Sequence, residues 1–281
     1  MVAKKRDMCT ACPVNSITQG SIFNNAANED FGGGDDLGLL ISARCDLANN
    51  KARKYSYLPV ITLEKYISYF LVDKLLREQR LGEISKVKDL IRAEGESPET
   101  VDHYGVEPSI NRLINKPKAK DKAMKCLKNI NDIKALESKG WGGLSGGELA
   151  LIPPKKILQE LKFLSENKTE GFFLIDEVRD FNNSGESLGP HVILLREVHH
   201  MSALVSDYLR EGCDHDTLIG NSMPGHPIKL KSGGFSYVLC NINSPYIELI
   251  MQRFSNLFTR IGVSNPAKKM VDEFLEKYIA E

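Results

Sequence analysis

Residues suited to chemistry first appear where an apolar stretch of the sequence turns abruptly polar. Residues 37–43 are largely apolar and have the length of a strand, and Arg44, Cys45 and Asp46 follow directly. Polar loops at strand ends are common places for functional sites. An arginine in such a loop can hold a phosphate or a carboxylate. The alternative interpretation is an ion pair between Arg44 and Asp46 that only fixes the loop.

A second polar group follows another apolar run, where Glu197 precedes His199 and His200. Neighbouring residues of a strand point to opposite faces, so at most one of the two imidazoles faces a given site. That imidazole can act as a general base or as a metal ligand. The simpler interpretation, one packed and one surface histidine, is favoured because the sequence shows no partner that would orient a base. As catalytic candidates we single out Arg44, Asp46, Glu197 and His199.

The cysteine pattern offers a half-motif for metal binding. Cys9 and Cys12 have the spacing of zinc ligands, but a structural zinc site needs four ligands. Cys213 and His215 are the other soft ligands that stand close together, so the predicted zinc site combines all four residues. The alternative is a pair of free thiols in a loose N-terminal tail, which is the preferred interpretation of one half-motif alone.

The segment 116–134 is strongly basic, with seven lysines against two aspartates. The lysines lie mostly opposite an apolar helical stripe of Met124, Leu127 and Ile130. Such a face can contact nucleic acid or an acidic partner. It carries no interleaved aromatic residues, so stacking of single-stranded bases is not indicated, and a solvated helix face is the preferred interpretation.

The composition as a whole is that of an ordinary globular protein. The 281 residues contain 37 basic and 37 acidic side chains, so no global field draws the chain to nucleic acid or anionic lipid, and any basic surface is local. The six cysteines are scattered, which is typical of reduced thiols in a cytoplasmic protein. No apolar run has the length of a membrane span and no signal peptide is visible, so we expect no membrane association.

The elements that must position these residues fall into three blocks. Apolar runs of strand length occur before residue 62 and return after residue 171, and helical periodicity dominates between them. This order predicts an α+β fold in which the early and late strands pair into a small antiparallel sheet or SH3-like barrel. The predicted β-rich core domain comprises residues 1–62 and 168–281, closed by C-terminal helices, with residues 63–167 as a helical insertion.

Three local signals refine this prediction. Pro59 places its apolar run at a sheet edge or a strand end, because proline cannot donate to a ladder. Gly82 is expected to break the helix that begins after Thr62. The runs 171–178 and 191–198 flank a polar loop and therefore predict an antiparallel hairpin.

Two stretches resemble sequences of uncharacterised bacterial proteins from phage-defence and mobile-element neighbourhoods. They are Gly38-Leu-Leu-Ile-Ser-Ala-Arg-Cys-Asp-Leu47 with Leu58-Pro-Val-Ile61, and Ser244-Pro-Tyr-Ile-Glu248 with Gln252-Arg-Phe254 and Arg260-Ile-Gly262. The strand pattern also resembles the small SH3-like barrels of MazF/PemK-type toxins, which cleave RNA. The helical block has no counterpart in those toxins, so no catalytic residue is carried over, and Arg44 is only the nearest candidate in position.

These observations lead to three hypotheses of function. In the first, the protein is a component of a bacterial defence or toxin–antitoxin-type system that acts on or senses nucleic acid, and its site lies at the strand ends named above. In the second, it is a non-catalytic interaction or regulatory subunit whose helices dock a partner protein. In the third, it is a metal-dependent hydrolase that uses His199 or His200 with Asp176 and Asp214.

Overall fold

Strands from both ends of the chain form one antiparallel sheet in the computed structural model of this protein, which describes residues 5–28, 36–139, 152–214 and 234–258. The strands of this sheet are β1 (Cys9–Thr10), β2 (Ser21–Phe23), β3 (Leu37–Leu40), β4 (Lys54–Thr62), β5 (Phe172–Arg179), β6 (Ser187–Leu194), β7 (His199–Ser202) and β10 (Val238–Ile242). The short strands β8 (Cys213–Asp214) and β9 (Phe235–Ser236) pair separately. The predicted α+β fold is confirmed.

The sheet runs in the order β1-β10-β2-β3-β4-β6-β5, and β7 pairs with β4 beside β6. Contacts link the two edges of this sheet, the β1/β10 side and the β5 side. Arg6, just before β1, forms an ion pair and hydrogen bonds with Asp176 of β5. The backbone N–H of Phe181, just after β5, donates to the carbonyl oxygen of Leu239 in β10 at 3.1 Å. The sheet is therefore nearly closed and barrel-like.

Both faces of the sheet are packed. Side chains alternate along each strand, so each strand supplies apolar residues to both faces. On β4, Leu58 and Val60 belong to an interior cluster that also contains Leu39 of β3. Tyr55 and Tyr57, which precede them on β4 and point the other way, pack into a second cluster on the opposite face. Burial on both faces explains why the strand runs look continuously apolar in the sequence.

Pro59 lies in the middle of the sheet, so the prediction of an edge strand was wrong. Ile41 N–H donates to the Ser56 carbonyl at 3.0 Å, and alternation along the ladder makes Gly38–Pro59 a pair without hydrogen bonds. The missing N–H of Pro59 therefore points away from β3. On that side, β4 pairs with β7 up to Tyr57 and with β6 only from Val60, so no ladder bond is lost.

The helices are α1 (Arg44–Ala48), α2 (Leu63–Tyr66), α3 (Val72–Ala93), α4 (Thr100–Tyr104), α5 (Val106–Ile114), α6 (Lys120–Ser138), α7 (Pro154–Ser165), α8 (Ala203–Glu211) and α9 (Tyr246–Phe258). Thr62 caps α2 by accepting a hydrogen bond from the Lys65 N–H at 3.2 Å. Within the described ranges, none of these helices combines the length and apolarity needed to cross a bilayer. Residues 259–281, which belong to the predicted C-terminal helices, lie outside the described residues.

The helical block departs from the prediction at two places. A π-helical turn (Ile67–Leu71) joins α2 to α3, and the helix then continues through Gly82 without a break. A single glycine costs a helix only about 1 kcal/mol, which the long packed faces of α3 outweigh. Met124 is half-exposed on α6 instead of lying in its buried stripe, which contains Ile130 and Ile133.

The predicted hairpin of β5 and β6 is confirmed, with Phe173 opposite Ile193. The predicted strand 191–198 is split, however. β6 ends at Leu194, a turn follows, and His199 begins β7, which pairs with the other half of β4. The turn moves both histidines off the hairpin and onto the central strand.

Helix α9 closes one end of the barrel. Its buried residues Ile247 and Ile250 pack against the interior cluster. A Cβ at Gly20 would lie 3.3 Å from the Ile247 side chain, so a glycine with a positive φ lets the chain before β2 pass close beneath the helix. This is the end at which β3 finishes and α1 begins.

Candidate functional site

The register of the sheet places His200 and the residues that follow β3 toward the same end of the barrel. Ile41, just after β3, is bonded to Ser56 of β4, and Ser56 pairs with His200 of β7. Arg44 begins α1 three residues after Ile41. Two strand spacings separate the ends of β3 and β7, which is about 10 Å. We call this region, with the turn that precedes β4, the barrel end.

His200 is the exposed histidine of the pair. Its Nδ1 lies 3.0 Å from the Ser56 hydroxyl, and Ser42 Oγ accepts a hydrogen bond from the Ser56 N–H at 2.8 Å. Ser42 thus fixes the strand position that orients the imidazole. Among the described residues Nε2 of His200 has no hydrogen-bond partner, so it is the ring nitrogen that a bound molecule can reach.

His199 points to the opposite face of the sheet. Its ring is half-buried and stacks on Tyr57 with a centroid separation of 5.6 Å. The two histidines therefore follow the alternation that the strand predicts, with His199 packed and His200 at the surface. Glu197 is half-buried in the turn before β7, where its N–H donates to the Leu194 carbonyl at 3.3 Å. Sequence singled out His199, whereas the accessible imidazole belongs to His200.

Arg44 and Asp46 do not pair with each other as the alternative interpretation proposed. Arg44 forms an ion pair with Glu248 of α9 at 3.5 Å, with 61% and 54% of the two side chains exposed. An exposed ion pair of this kind contributes little to stability, so Arg44 can exchange Glu248 for another anion. Asp46 accepts a weak bond from the Cys45 thiol at 3.6 Å, and its carbonyl accepts the Tyr55 hydroxyl at 3.2 Å.

Three cations at the barrel end have no acidic partner among the described residues. Lys51, Arg53 and Lys54 are exposed, and they occupy the turn before β4 and its first residue. Arg53 is held through its backbone, since its carbonyl accepts the Ala203 N–H at 3.1 Å. Other barrel cations do have partners, for example Arg6 with Asp176. The sequence signal that could have identified this group is the presence of three basic residues within four positions.

A buried polar cluster at the opposite end of β4 was missed by the sequence. Asp36 is only 1% exposed and accepts a hydrogen bond from Lys65 Nζ at 2.5 Å. His191 of β6 is also buried, and its Nδ1 lies 3.1 Å from the Gly189 carbonyl, so Nδ1 carries the proton. Burial lowers the pKa of His191, although nearby Asp36 acts in the opposite sense. The cluster joins the start of β3, the start of α2 and β6.

The described members of the predicted zinc site are buried free thiols. Cys9 lies in the interior cluster, whereas Cys12 and Cys213 lie in the cluster on the other face. Burial raises the pKa of Cys213 to about 11. A hydrogen bond with Cys9 and burial raise the pKa of Cys240 well above its ordinary value. His215 lies outside the described residues, so the four-ligand site stays a prediction.

The residues of the hydrolase hypothesis are spread over different strands. Asp176 of β5 is held by Arg6, whose bonds outweigh burial and lower the pKa of the carboxyl group. Asp214 lies in β8. Across the described ranges, no three histidine, cysteine or acidic side chains are grouped so that they could hold a metal ion.

The barrel end can therefore bind a phosphate with its cations and can move a proton with the His200 imidazole. Both operations are available without a metal ion, since an imidazole and cationic side chains suffice for acid–base and electrostatic catalysis. No known protein family, curated protein or solved structure matches this chain.

Proposed function

We propose that the protein acts on single-stranded RNA at the barrel end, as a component of a bacterial defence or toxin–antitoxin-type system. One observation carries the proposal. Lys54, exposed and without an acidic partner among the described residues, lies two residues along β4 from Ser56, the strand partner of His200, and the equally unpaired Lys51 and Arg53 directly precede it. Register supports their proximity, because Lys54 is opposite Ser202, two residues from His200.

The cations supply the affinity for a phosphodiester backbone. Unpaired lysine and arginine side chains neutralise phosphates and release counterions. Arg44 adds a fourth positive charge when a phosphate replaces Glu248, because their exposed pair is weak. The neutral net charge of the chain makes this a local interaction.

His200 supplies the proton transfer. Ser56 holds Nδ1 and leaves Nε2 to the substrate. The imidazole takes the proton of an RNA 2′-hydroxyl while the 2′-oxygen forms a bond to phosphorus, and the bond from phosphorus to the 5′-oxygen breaks. The leaving 5′-oxygen takes a proton from solvent, and the cations stabilise the negative charge on the phosphoryl oxygens. The products are a 2′,3′-cyclic phosphate and a 5′-hydroxyl end.

The fold and the resemblance support the same substrate class. A nearly closed antiparallel barrel fits the SH3-like barrel of MazF/PemK-type toxins, which cleave RNA. DNA lacks the 2′-hydroxyl, so this chemistry predicts cleavage of RNA alone.

A cleavage assay in EDTA tests the proposal. Labelled single-stranded RNA and DNA of the same sequence are incubated with the protein, with His200→Gln and with His103→Gln, an exposed histidine of α4 that serves as control. We expect RNA cleavage by the wild type and by His103→Gln, and a loss of about 100-fold or more in His200→Gln. Cleavage of DNA, a requirement for Mg²⁺, or equal activity of His200→Gln would overturn the proposal, as would the absence of cleavage.

A further inference from the structure

The lysines around the first half of α6 differ from the other cations of the helical block. Five of them, at positions 118, 120, 122, 125 and 128, have no acidic partner among the described residues. Many cations on the neighbouring helices are paired: Lys74 and Glu160, Arg80 and Glu137, Lys88 and Asp102, Arg92 and Asp89, Arg112 and Glu96. Within the described residues, Lys155 and Lys156 of α7 are not. Unpaired lysines are thus most frequent around the first half of α6.

Two of these lysines border a groove between α3 and α6. Lys122 and Lys125 line a cavity of about 340 Å³ whose apolar wall includes Leu90 and Cys126. A neighbouring cavity of about 400 Å³ continues along the same two helices to Leu136. The two cavities share Glu83, Lys86 and Asn129, and we call the pair the α3/α6 groove.

The groove is lined by four lysines and four acidic side chains, and three of the four acids are paired with a cation. Glu83, at the centre, is almost fully buried and bonds Lys86 Nζ at 2.6 Å. Burial opposes ionisation of Glu83, but hydrogen bonds from Lys86 and Asn129 outweigh it and lower the pKa of the carboxyl group. Glu83 and Lys86 therefore neutralise each other. Lys122, Lys125 and Lys156 have no acidic partner among the described residues, whereas Asp132 is the one lining acid without a cation there. The groove therefore keeps an excess of positive charge.

We propose that the α3/α6 groove docks an acidic, amphipathic helical segment of a partner protein. Charge complementarity selects an acidic partner, and the apolar wall accommodates the apolar face of a helix. No aromatic side chain lines the two described cavities, so they offer no stacking platform for single-stranded bases.

The docking of a partner is independent of RNA cleavage at the barrel end, and separate variants distinguish the two. Lys122→Glu with Lys125→Glu reverses the rim of the groove. Lys51→Glu with Arg53→Glu reverses charges at the barrel end and serves as the matched control. All four side chains are surface cations without acidic partners among the described residues, and thermal melting of each variant verifies the fold.

The probe is a fluorescein-labelled synthetic peptide with leucines at helical i, i+3, i+4 and i+7 spacing and glutamates elsewhere. A scrambled peptide of the same composition and single-stranded RNA are the comparison ligands. We expect the full-length protein to bind the ordered peptide, the groove variant to lose about tenfold or more in affinity, and the barrel-end variant to retain it. Equal binding of the scrambled peptide, unchanged affinity of the groove variant, or loss of RNA binding instead of peptide binding would refute a protein-docking groove.

Discussion

A methyl group at Gly38 should destabilise the barrel more than its small size suggests. A Cβ built at Gly38 would lie 2.2 Å from Cζ and 2.5 Å from Cε1 of the Phe23 ring, well inside contact distance. Phe23 is fully buried, and its ring packs edge-on against Tyr57 with a centroid separation of 5.3 Å. The ring therefore has no room to turn away, and either β2 or β3 must shift. Overpacking of this kind costs about 1–3 kcal/mol.

The assay for Gly38→Ala is urea unfolding at neutral pH, with the free energy of unfolding compared with that of the wild type. Gly82→Ala is the matched control, because a Cβ there has no atom within 4 Å and Gly82 lies inside α3. We expect this control to stabilise the protein by up to about 1 kcal/mol. A Gly38→Ala variant within about 0.5 kcal/mol of the wild type would refute the packing argument.

Two further predictions concern the buried polar cluster. Lys65→Met leaves the Asp36 carboxylate buried without its cation and should lower the free energy of unfolding by about 3 kcal/mol, the lower end of the range for broken buried pairs, since Lys65 is 29% exposed. The control Arg77→Met removes an exposed pair and should lower it by less than about 1 kcal/mol. Equal losses in the two variants would contradict the role of burial. His191 has a pKa below its ordinary value of 6.5, so the unfolded chain binds this proton first as the pH falls. Its contribution is therefore fully present above pH 6.5 and is lost as the pH drops through the folded pKa. His191→Gln should flatten the loss of unfolding free energy between neutral and mildly acidic pH, and an unchanged slope would be the contrary result.

The architecture could be predicted where local pattern and chain order decide it. The apolar runs at both ends of the chain form one sheet, the hairpin of β5 and β6 forms across its polar loop, and helices make up the described part of the segment between the strand blocks. Each of these features depends on hydrophobic periodicity or a proline start signal, which a single sequence displays. The α+β class follows from their order.

The local errors arose where tertiary structure overrides a local rule. Pro59 was assigned to an edge because the sequence does not show that β4 changes partners at this position. Gly82 was assigned to a break because the sequence does not show how much of α3 is packed. In both cases the tertiary environment removes or outweighs the cost that makes the residue a breaker.

The site could be located by sequence only in outline. The residues after β3 and His200 of β7 lie toward the same end of the barrel. The accessible imidazole belongs to His200, because the split of the predicted strand sets the register of β7. Pairing of charges is equally invisible in the sequence: Lys65 reaches Asp36, 29 positions away, whereas Lys51 and Lys54 find no acid among the described residues. Long-range placement decides which cations are left for a ligand.

Salt dependence of RNA binding tests the central claim most directly. The affinity of single-stranded RNA for the wild type, for Lys51→Gln/Arg53→Gln/Lys54→Gln, and for the paired-cation control Arg77→Gln/Lys88→Gln/Arg92→Gln is measured by fluorescence anisotropy between about 50 and 200 mM salt. Each phosphate contact to a single strand contributes about 0.7 to the slope of log affinity against log salt, so the barrel-end variant should lose about 2 from the slope and the control should lose none. An unchanged slope in the barrel-end variant, or an equal loss in the control, would contradict the assignment of the barrel end as the RNA site.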